Sequence, residues 1–147
     1  MLVMAAAVAD YRPKLLTDRP DAAQGKLKRS EGGLTLELEP TPDLLAACSK
    51  LRRPGQTIVG FALEPRERLL ESAAAKIARK GLDLIVANPL ETMDAPTIEA
   101  TLLGPSGVVD RTPGSIAKSA FADWLLDRLE THSVPAASAA TSATRGP

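Results

Sequence analysis

Three segments of the chain are almost continuously apolar, and helical patterns lie between them. The apolar segments cover residues 2–9, 56–63 and 82–89. Unbroken apolar runs of this length are typical of parallel strands that are buried on both faces. Parallel strands joined by helices form right-handed crossovers, which place helices on both sides of the sheet. The pattern therefore predicts an α/β fold with a Rossmann-like, three-layer parallel sheet.

The spacing of apolar and polar residues predicts three helices. The first covers residues 41–55, and Thr41 is its predicted N-cap. The second covers residues 65–81, where apolar residues four positions apart form one buried face. The third covers residues 115–132, with Ser115 as its predicted N-cap. Each helix thus has a start signal that can be read locally.

The remaining segments are more polar. LTLELE, residues 34–39, alternates leucine with polar residues, which predicts a protruding strand or hairpin with one solvent-facing side. Residues 99–114 predict two short strands around a Gly-Pro-Ser-Gly turn. Residues 12–33 contain several prolines and glycines and predict a mobile loop. Residues 133–147, which are rich in Ala, Ser, Thr, Pro and Gly, predict a disordered tail.

Composition narrows the possible functions. The 147 residues contain 18 basic and 18 acidic side chains, and this balance argues against a general nucleic-acid binder. A single cysteine and a single histidine exclude an internal disulfide and make a thiolate zinc cluster or a Ser-His-Asp triad implausible. No apolar run approaches the ~20 residues that span a bilayer, and the first segment lacks a basic leader. We therefore expect a cytoplasmic protein with no membrane or nucleic-acid partner.

Polar or aromatic residues lie at the end of each apolar run: Asp10 at the first, residues 61–64 at the second and Asn88 at the third. Ligands of open α/β sheets bind beyond the carboxyl ends of the strands. The small residues 5–7 would let a ligand approach the backbone, Asp10 could accept hydrogen bonds from a ribose or an amino group, and Phe61 could stack on a base. Close helix packing, a capped turn and an ordinary core phenylalanine are the commoner explanations of these residues when the pattern is taken alone.

Two groups of cations are candidates for binding phosphate. Lys26, Lys28 and Arg29 lie between glycines and would suit a flap that closes on a polyphosphate. Lys76 and Lys80 are four residues apart and share one helix face, from which they could act as two point charges for phosphate. The start of the first helix offers free N–H groups in addition. Solvated surface charge is the alternative interpretation of both groups.

Read in order, five motifs resemble one enzyme family. AAAVADYRP, K-L-K-R, TPDLL, VGFALE and K-x-x-x-K before GLDLIVAN are similar to phosphopantothenate–cysteine ligase. This ligase is the synthetase half of the bifunctional bacterial coenzyme A biosynthesis flavoprotein. The resemblance covers about residues 2–130. It implies that CTP with Mg²⁺ activates 4′-phosphopantothenate as an acyl-cytidylate, that cysteine then displaces CMP, and that the enzyme is a homodimer. FMN would belong only to a fused decarboxylase domain that is absent here.

The resemblance also implies a set of site residues. Lys26 matches the catalytic lysine of the family's K-x-K-K loop, and Arg29 departs from the last lysine of that loop but keeps its charge. No residue of the chain is predicted as a metal ligand. The residues that match nucleotide contacts are Met4, Ala5, Ala6, Asp10, Lys26, Pro42, Asp43, Leu44, Leu45, Phe61, Lys76 and Lys80.

The family's synthetase domain extends upstream of the first apolar run. The resemblance therefore predicts an N-terminally truncated sheet whose first strand is exposed on one side, with residues 1–132 as the CTP-binding part. An alternative is a non-catalytic nucleotide-binding or dimerisation fragment that needs an upstream segment for activity. A domain that binds a nucleotide sugar or a dinucleotide is disfavoured, because no G-x-G-x-x-G follows any predicted strand.

Overall fold

A computed structural model of the chain describes residues 1–14, 32 and 35–132. These residues form two compact units. Residues 6–44 belong to the smaller unit, and the larger unit joins residues 1–5 to the chain from Leu45 onward. Most of the predicted loop 12–33 and the whole of the predicted tail 133–147 lie outside the described residues. Mobility of the loop and disorder of the tail therefore stay predictions.

Nine strands and three helices are described. The strands are β1 (Leu2–Val3), β2 (Tyr11–Pro13), β3 (Leu38–Pro40), β4 (Ile58–Glu64), β5 (Leu84–Pro89), β6 (Thr97–Ile98), β7 (Thr101–Gly104), β8 (Gly107–Arg111) and β9 (Ile116–Ala117). The helices are α1 (Leu44–Lys50), α2 (Leu69–Lys80) and α3 (Lys118–His132), and short 3₁₀ turns cover Arg66–Arg68 and Leu90–Thr92. The predictions of β4, β5, β7, β8 and α2 are confirmed to within a few residues.

The main sheet of the larger unit is mostly parallel. Its strand order is β1-β4-β5-β7-β8, with β1, β4 and β5 parallel to one another. Strand β7 runs antiparallel to β5, and β8 runs antiparallel to β7. The predicted parallel sheet is thus confirmed for β1, β4 and β5. The predicted pair of short strands around a turn is confirmed as β7 and β8, since the tight turn at residues 105–106 joins antiparallel neighbours.

Helices cover both faces of this sheet, which confirms the predicted three layers. On one face, Leu69, Ala73 and Ile77 of α2 are buried against the sheet, and Leu45 of α1 packs there too. The face opposite is covered by α3. Its cluster joins Val59, Leu84, Val86, Ile98, Ala100 and Leu102 to Phe121, Trp124, Leu125 and Leu129. Because side chains alternate along a strand, β4 and β5 contribute residues to both cores.

Two glycines set how closely the helices approach. A Cβ on Gly60 would lie 2.9 Å from both Leu45 Cδ2 and Leu82 Cδ1, so a side chain at this position would force these two leucine side chains to move. Gly81 ends α2 with φ 64°, and its N–H bonds the carbonyl of Ile77. This left-handed conformation favours glycine and lets β5 begin directly after the helix.

The first strand differs from its prediction. Residues 2–9 were expected to form one buried strand, but β1 contains only Leu2 and Val3 and lies at the edge of the sheet. Residues 5–10 are exposed. The run of small alanines offers little apolar area, so burying it would gain little free energy. The exposed side of the first strand is confirmed, since Val3 is 38% exposed.

The two predicted N-caps are also wrong. Thr41 donates its hydroxyl hydrogen bond to the carbonyl of Ala9, and α1 begins only at Leu44. Ser115 precedes β9, which pairs with β6, and α3 begins at Lys118. The predicted strand 34–39 is observed as the shorter β3, while residues 35–37 are not in a strand.

Candidate functional site

The carboxyl ends of the parallel strands β4 and β5 lie side by side in the larger unit. Phe61 and Asn88 lie on the face covered by α3, because they alternate with residues that pack against α2. Glu64, the last residue of β4, lies on the face covered by α2. Ligands of such sheets bind beyond these ends, so this edge is the candidate functional site of the larger unit.

Lys76 is held by a carboxylate at this edge. Its Nζ lies 2.7 Å from Oε1 of Glu64, and the two side chains are only 27% and 23% exposed. Lys80 follows one turn later on α2 and is half-buried. The sequence predicted Lys76 as a point charge for phosphate but did not predict its pairing with Glu64. An ammonium has three N–H donors, so Lys76 can bind Glu64 and still donate to a further acceptor.

Phe61 lies on the other side of the sheet from Lys76. It is half-buried and packs against the hydrophobic core under α3. Lys76 belongs to α2, which covers the opposite face. A ligand that contacts both residues therefore has to extend across the end of β4.

Asn88 belongs to a hydrogen-bonded chain that the sequence did not predict. Its Nδ2 donates to Oγ1 of Thr92 at 2.7 Å, and the Thr92 hydroxyl donates to the carbonyl of Pro89 at 2.7 Å. Thr92 belongs to the 3₁₀ turn that follows β5. The sequence showed a polar residue, Asn88, at the end of a buried strand, but it did not indicate that Thr92 is its hydrogen-bond partner.

Met4 lies directly beyond the end of β1. Its N–H donates to the carbonyl of Val59 at 2.9 Å, so the backbone continues the sheet by one hydrogen bond. Met4 is half-buried and Ala5 is exposed. The structure thus brings Met4, Ala5 and Phe61 to neighbouring strands of one sheet.

In the smaller unit, two candidate segments that are distant in sequence lie together. The N–H of Thr41 donates to the carbonyl of Asp10 at 2.9 Å, and its hydroxyl bonds Ala9. Pro42, Asp43 and Leu44 follow Thr41 and are exposed, as are Ala6 and Asp10. A backbone hydrogen bond therefore joins Asp10 to the residue that precedes Pro42.

The smaller unit also contains a two-stranded antiparallel ribbon, formed by β2 and β3. One side of this ribbon is ion-paired: Arg12 Nε lies 2.8 Å from Glu39 Oε1. Tyr11 and Leu38 lie on the other side and are 61% and 57% exposed. The ribbon confirms the predicted hairpin-like element and presents an exposed apolar side. The chain between β2 and β3 contains the candidate phosphate-binding residues Lys26, Lys28 and Arg29. All three lie outside the described residues.

An open cleft lies at the carboxyl edge on the face of α2. Arg66, Glu99, Thr101 and Arg111 line it, together with apolar residues of α2 and β5. Arg66 Nη2 lies 3.1 Å from Glu99 Oε2, and this hydrogen bond raises the pKa of the guanidinium above its ordinary value. Arg111 Nη1 donates to Oγ1 of Thr101 at 3.3 Å. Sequence reasoning missed this cleft, since its residues come from four separate segments of the chain.

A second polar network joins the amino ends of β4 and β5. Both carboxylate oxygens of Asp83 accept hydrogen bonds from Arg52 Nη1, at 2.9 and 3.0 Å. Oδ2 of Asp83 also accepts the N–H of Ile58 at 2.7 Å, and Ile58 is fully buried. Arg52 additionally donates to the Ser49 hydroxyl at 3.0 Å. This network lies at the opposite end of the strands from the candidate site and fastens the segment after α1 to the sheet.

Another ion pair, between Arg128 and Asp110, fixes α3 to β8. Arg128 Nε donates to Asp110 Oδ2 at 2.8 Å, and the guanidinium lies 5.2 Å from the centroid of the Trp124 ring. The backbone N–H of Arg111 donates to Asp110 Oδ1 at 2.7 Å. These hydrogen bonds favour the carboxylate and lower the pKa of Asp110 from its ordinary value.

Across the described ranges, no group of three or more His, Cys, Asp and Glu side chains is placed to hold a metal ion. None of the helices in those ranges is long and apolar enough to cross a membrane.

Comparison with known proteins points to a single family. Residues 1–132 match the family model of the DNA/pantothenate metabolism flavoprotein C-terminal domain. The chain is 35% identical over 133 residues to the coenzyme A biosynthesis bifunctional protein CoaBC of Thermococcus kodakarensis, a match that covers 88% of the chain and 30% of that protein. It is also 35% identical over 123 residues to a cysteine/cysteine sulfinic acid decarboxylase of an unknown prokaryotic organism, covering 78% of the chain and 32% of that protein.

The fold agrees with a solved member of this group. The chain superimposes on the crystal structure of the C-terminal domain of a coenzyme A biosynthesis bifunctional protein CoaBC with a TM-score of 0.60 and 28% identity. That match covers 86% of the chain and 50% of the solved chain. The chain spans about a third of the length of the two curated relatives described above.

Proposed function

The chain belongs to the family of the DNA/pantothenate metabolism flavoprotein C-terminal domain, and on that premise we propose that residues 1–132 are the CTP-binding part of a phosphopantothenate–cysteine ligase. The observation that carries the proposal is the extent of the family match, which includes every candidate segment from Met4 to Lys80. Relatives named as coenzyme A biosynthesis bifunctional proteins support the same pathway.

The proposed reaction has two steps. A carboxylate oxygen of 4′-phosphopantothenate attacks the α-phosphorus of CTP, and the bond to the β-phosphate breaks, which releases pyrophosphate and leaves an acyl-cytidylate. The amine of cysteine then attacks the acyl carbon, CMP leaves with the electron pair of the broken C–O bond, and the amine loses a proton. Mg²⁺ enters with the triphosphate of the substrate. Such chemistry depends mainly on positioning and charge stabilisation, and it needs no nucleophilic side chain.

The family resemblance assigns residues of each unit to the nucleotide, and the contacts within each unit suggest which part they would bind. Glu64 fixes the ammonium of Lys76, whose remaining donors would bind a phosphate oxygen, with Lys80 one turn away on the same helix. Phe61 offers a half-buried aromatic surface for a base. Asp10 and the Pro42–Leu44 segment are exposed beside each other and would contact the ribose or the base.

Lys26 is proposed as the catalytic lysine, on the basis of its match to the family's loop. It would stabilise the charge that develops on the phosphates as pyrophosphate leaves. Met4, Ala5, Ala6 and Leu45 complete the proposed nucleotide site. Met4 and Ala5 contribute through the backbone beyond the end of β1, where small side chains leave the approach open.

A homodimer is the proposed assembly, and the apolar side of the ribbon supports it. Tyr11, Leu38 and the neighbouring Leu36 are all more than half exposed. Exposed apolar groups of this kind are typical of protein–protein contacts. If a second copy covers them, Leu38→Glu should convert a dimer into a monomer in sedimentation analysis, and an unchanged mass would exclude the ribbon from the interface.

A non-catalytic fragment that binds nucleotide or mediates dimerisation is the second candidate. It rests on the fact that the chain spans about a third of the length of the two curated relatives. The two candidates differ in turnover, not in nucleotide binding.

Turnover is tested by incubating the chain with CTP, Mg²⁺, 4′-phosphopantothenate and cysteine. The ligase proposal predicts release of pyrophosphate that depends on phosphopantothenate, and formation of phosphopantothenoylcysteine by mass spectrometry. Lys26→Gln should abolish both, whereas Lys50→Gln, on the exposed end of α1, should leave both near normal. Binding of CTP without any pyrophosphate release would favour the non-catalytic fragment.

A further inference from the structure

Asn88 presents a hydrogen-bond acceptor whose identity is fixed by its neighbours. The hydroxyl of Thr92 donates its one proton to the carbonyl of Pro89, which can only accept. The Thr92 oxygen is therefore left as an acceptor toward Asn88, and only the NH₂ group of the amide can face it. The carbonyl oxygen Oδ1 of Asn88 consequently points away from the 3₁₀ turn.

Oδ1 is available for a ligand. No hydrogen bond to it is found among residues 1–14 and 35–132. In the same part of the chain, the one buried side-chain polar atom without a partner is Nε1 of Trp124. Oδ1 of the half-buried Asn88 therefore reaches the surface of the molecule. An oriented acceptor at the carboxyl end of a parallel strand lies where such sheets bind ligands.

Phe61 is a neighbour of Asn88 on the same face. In the register of β4 and β5, Phe61 lies opposite Val86 and Leu63 lies opposite Asn88. Phe61 and Asn88 are thus diagonal neighbours on the side covered by α3, with Asn88 closer to the edge. An aromatic ring beside an oriented acceptor suits a flat base that stacks on the ring and donates from its rim.

We infer that Asn88 is the residue that selects a nucleobase carrying an exocyclic amino group, by accepting a hydrogen bond from that group at Oδ1. The inference rests on the proposed nucleotide site. Uracil would present a carbonyl oxygen to Oδ1, and two acceptors repel. Rotating the amide to offer NH₂ instead would break the bond to Thr92. The site therefore rejects the keto base through an unpaired polar group, which is an effective source of discrimination.

The inference is tested with the full chain by calorimetric titration with CTP and with UTP in Mg²⁺. Wild type should bind CTP about tenfold more tightly than UTP, the size expected for exchanging one good hydrogen bond for a repulsive contact. Asn88→Ala should bring the ratio of the two dissociation constants close to one, chiefly by weakening CTP. An unchanged ratio in Asn88→Ala, with both affinities lowered together, would assign Asn88 a structural role and overturn the inference.

A second pair of variants keeps the test independent of the folding of Asn88→Ala. Thr92→Val removes the hydroxyl that fixes the amide and should lower the ratio, mainly because UTP binds better. Thr92→Ser keeps the hydroxyl and should keep the ratio. Equal ratios in Thr92→Val and wild type would overturn the inference. A wild-type chain that binds CTP and UTP equally would refute this inference alone, whereas a folded chain that binds neither would refute the proposed nucleotide site with it.

Discussion

We predict that substitution of Asp83, a partly exposed residue at the amino end of β5, lowers the free energy of unfolding. Asp83→Ala would remove the acceptor of the Ile58 N–H, which bonds Oδ2 at 2.7 Å. It would also remove both oxygens that bind Arg52 Nη1. Because Ile58 is fully buried, its freed N–H could not bond water without opening the start of β4.

The expected fall in the free energy of unfolding is the sum of losing the hydrogen bond to Ile58 and losing the ion pair with Arg52. Leaving a buried backbone donor unsatisfied costs about 1–3 kcal/mol. The ion pair adds only about 0–1 kcal/mol, since its side chains are 32% and 29% exposed and solvent screens them. We therefore expect Asp83→Ala to lower the free energy of unfolding by about 1–4 kcal/mol. Asp83→Asn keeps an amide oxygen for the Ile58 N–H and should cost about 1 kcal/mol.

Urea unfolding followed by circular dichroism measures these free energies. Asp123→Ala is the control, because Asp123 is an exposed aspartate of α3 and surface changes of this kind fall within about 0.5 kcal/mol of wild type. If Asp83→Ala and Asp123→Ala unfold with the same free energy, the hydrogen bond to Ile58 does not stabilise the sheet as described.

Two further predictions concern charged residues. Lys76→Met should weaken CTP binding about tenfold or more at low salt, the size expected for losing a hydrogen bond to a charged group, and should weaken it less at high salt because ions screen the charge. The control Arg79→Met, on the exposed side of α2, should change the affinity little. Equal effects of both variants in calorimetry would reduce Lys76 to a structural role. Asp110, whose pKa is lowered by Arg128 and by the Arg111 N–H, should contribute stability that is present above its unfolded-state pKa of about 3.9 and is lost as the pH falls through its lower folded-state pKa. The difference in unfolding free energy between wild type and Asp110→Asn should therefore be larger at neutral pH than in strong acid, and a difference that does not vary with pH would contradict the assignment.

The main fold could be predicted from the sequence because its strands and helices carry strong local patterns. The continuous apolar runs that became β4 and β5 have few alternatives to burial, and Gly81 marks a helix end that the structure confirms. The family resemblance is confirmed by the match over residues 1–132. The order of strands and helices along the chain was therefore sufficient to predict the three layers of the larger unit.

The partners of the polar residues could not be predicted from the sequence, because they depend on contacts between distant segments. Thr41 has the composition of an N-cap, yet its hydroxyl bonds a carbonyl 32 residues away. The pairing of Lys76 with Glu64 needs the packing of α2 on β4, which no helical spacing encodes. The direction of the Asn88 amide depends on the turn after β5. In each case a local signal identified a polar residue, and only the fold supplied its partner.

Calorimetric titration of the full chain with CTP and separately with ATP, both in Mg²⁺, measures whether the chain contains the proposed CTP site. We expect clear binding of CTP and much weaker binding of ATP. A folded chain that binds neither nucleotide, or that binds ATP as tightly as CTP, would contradict it.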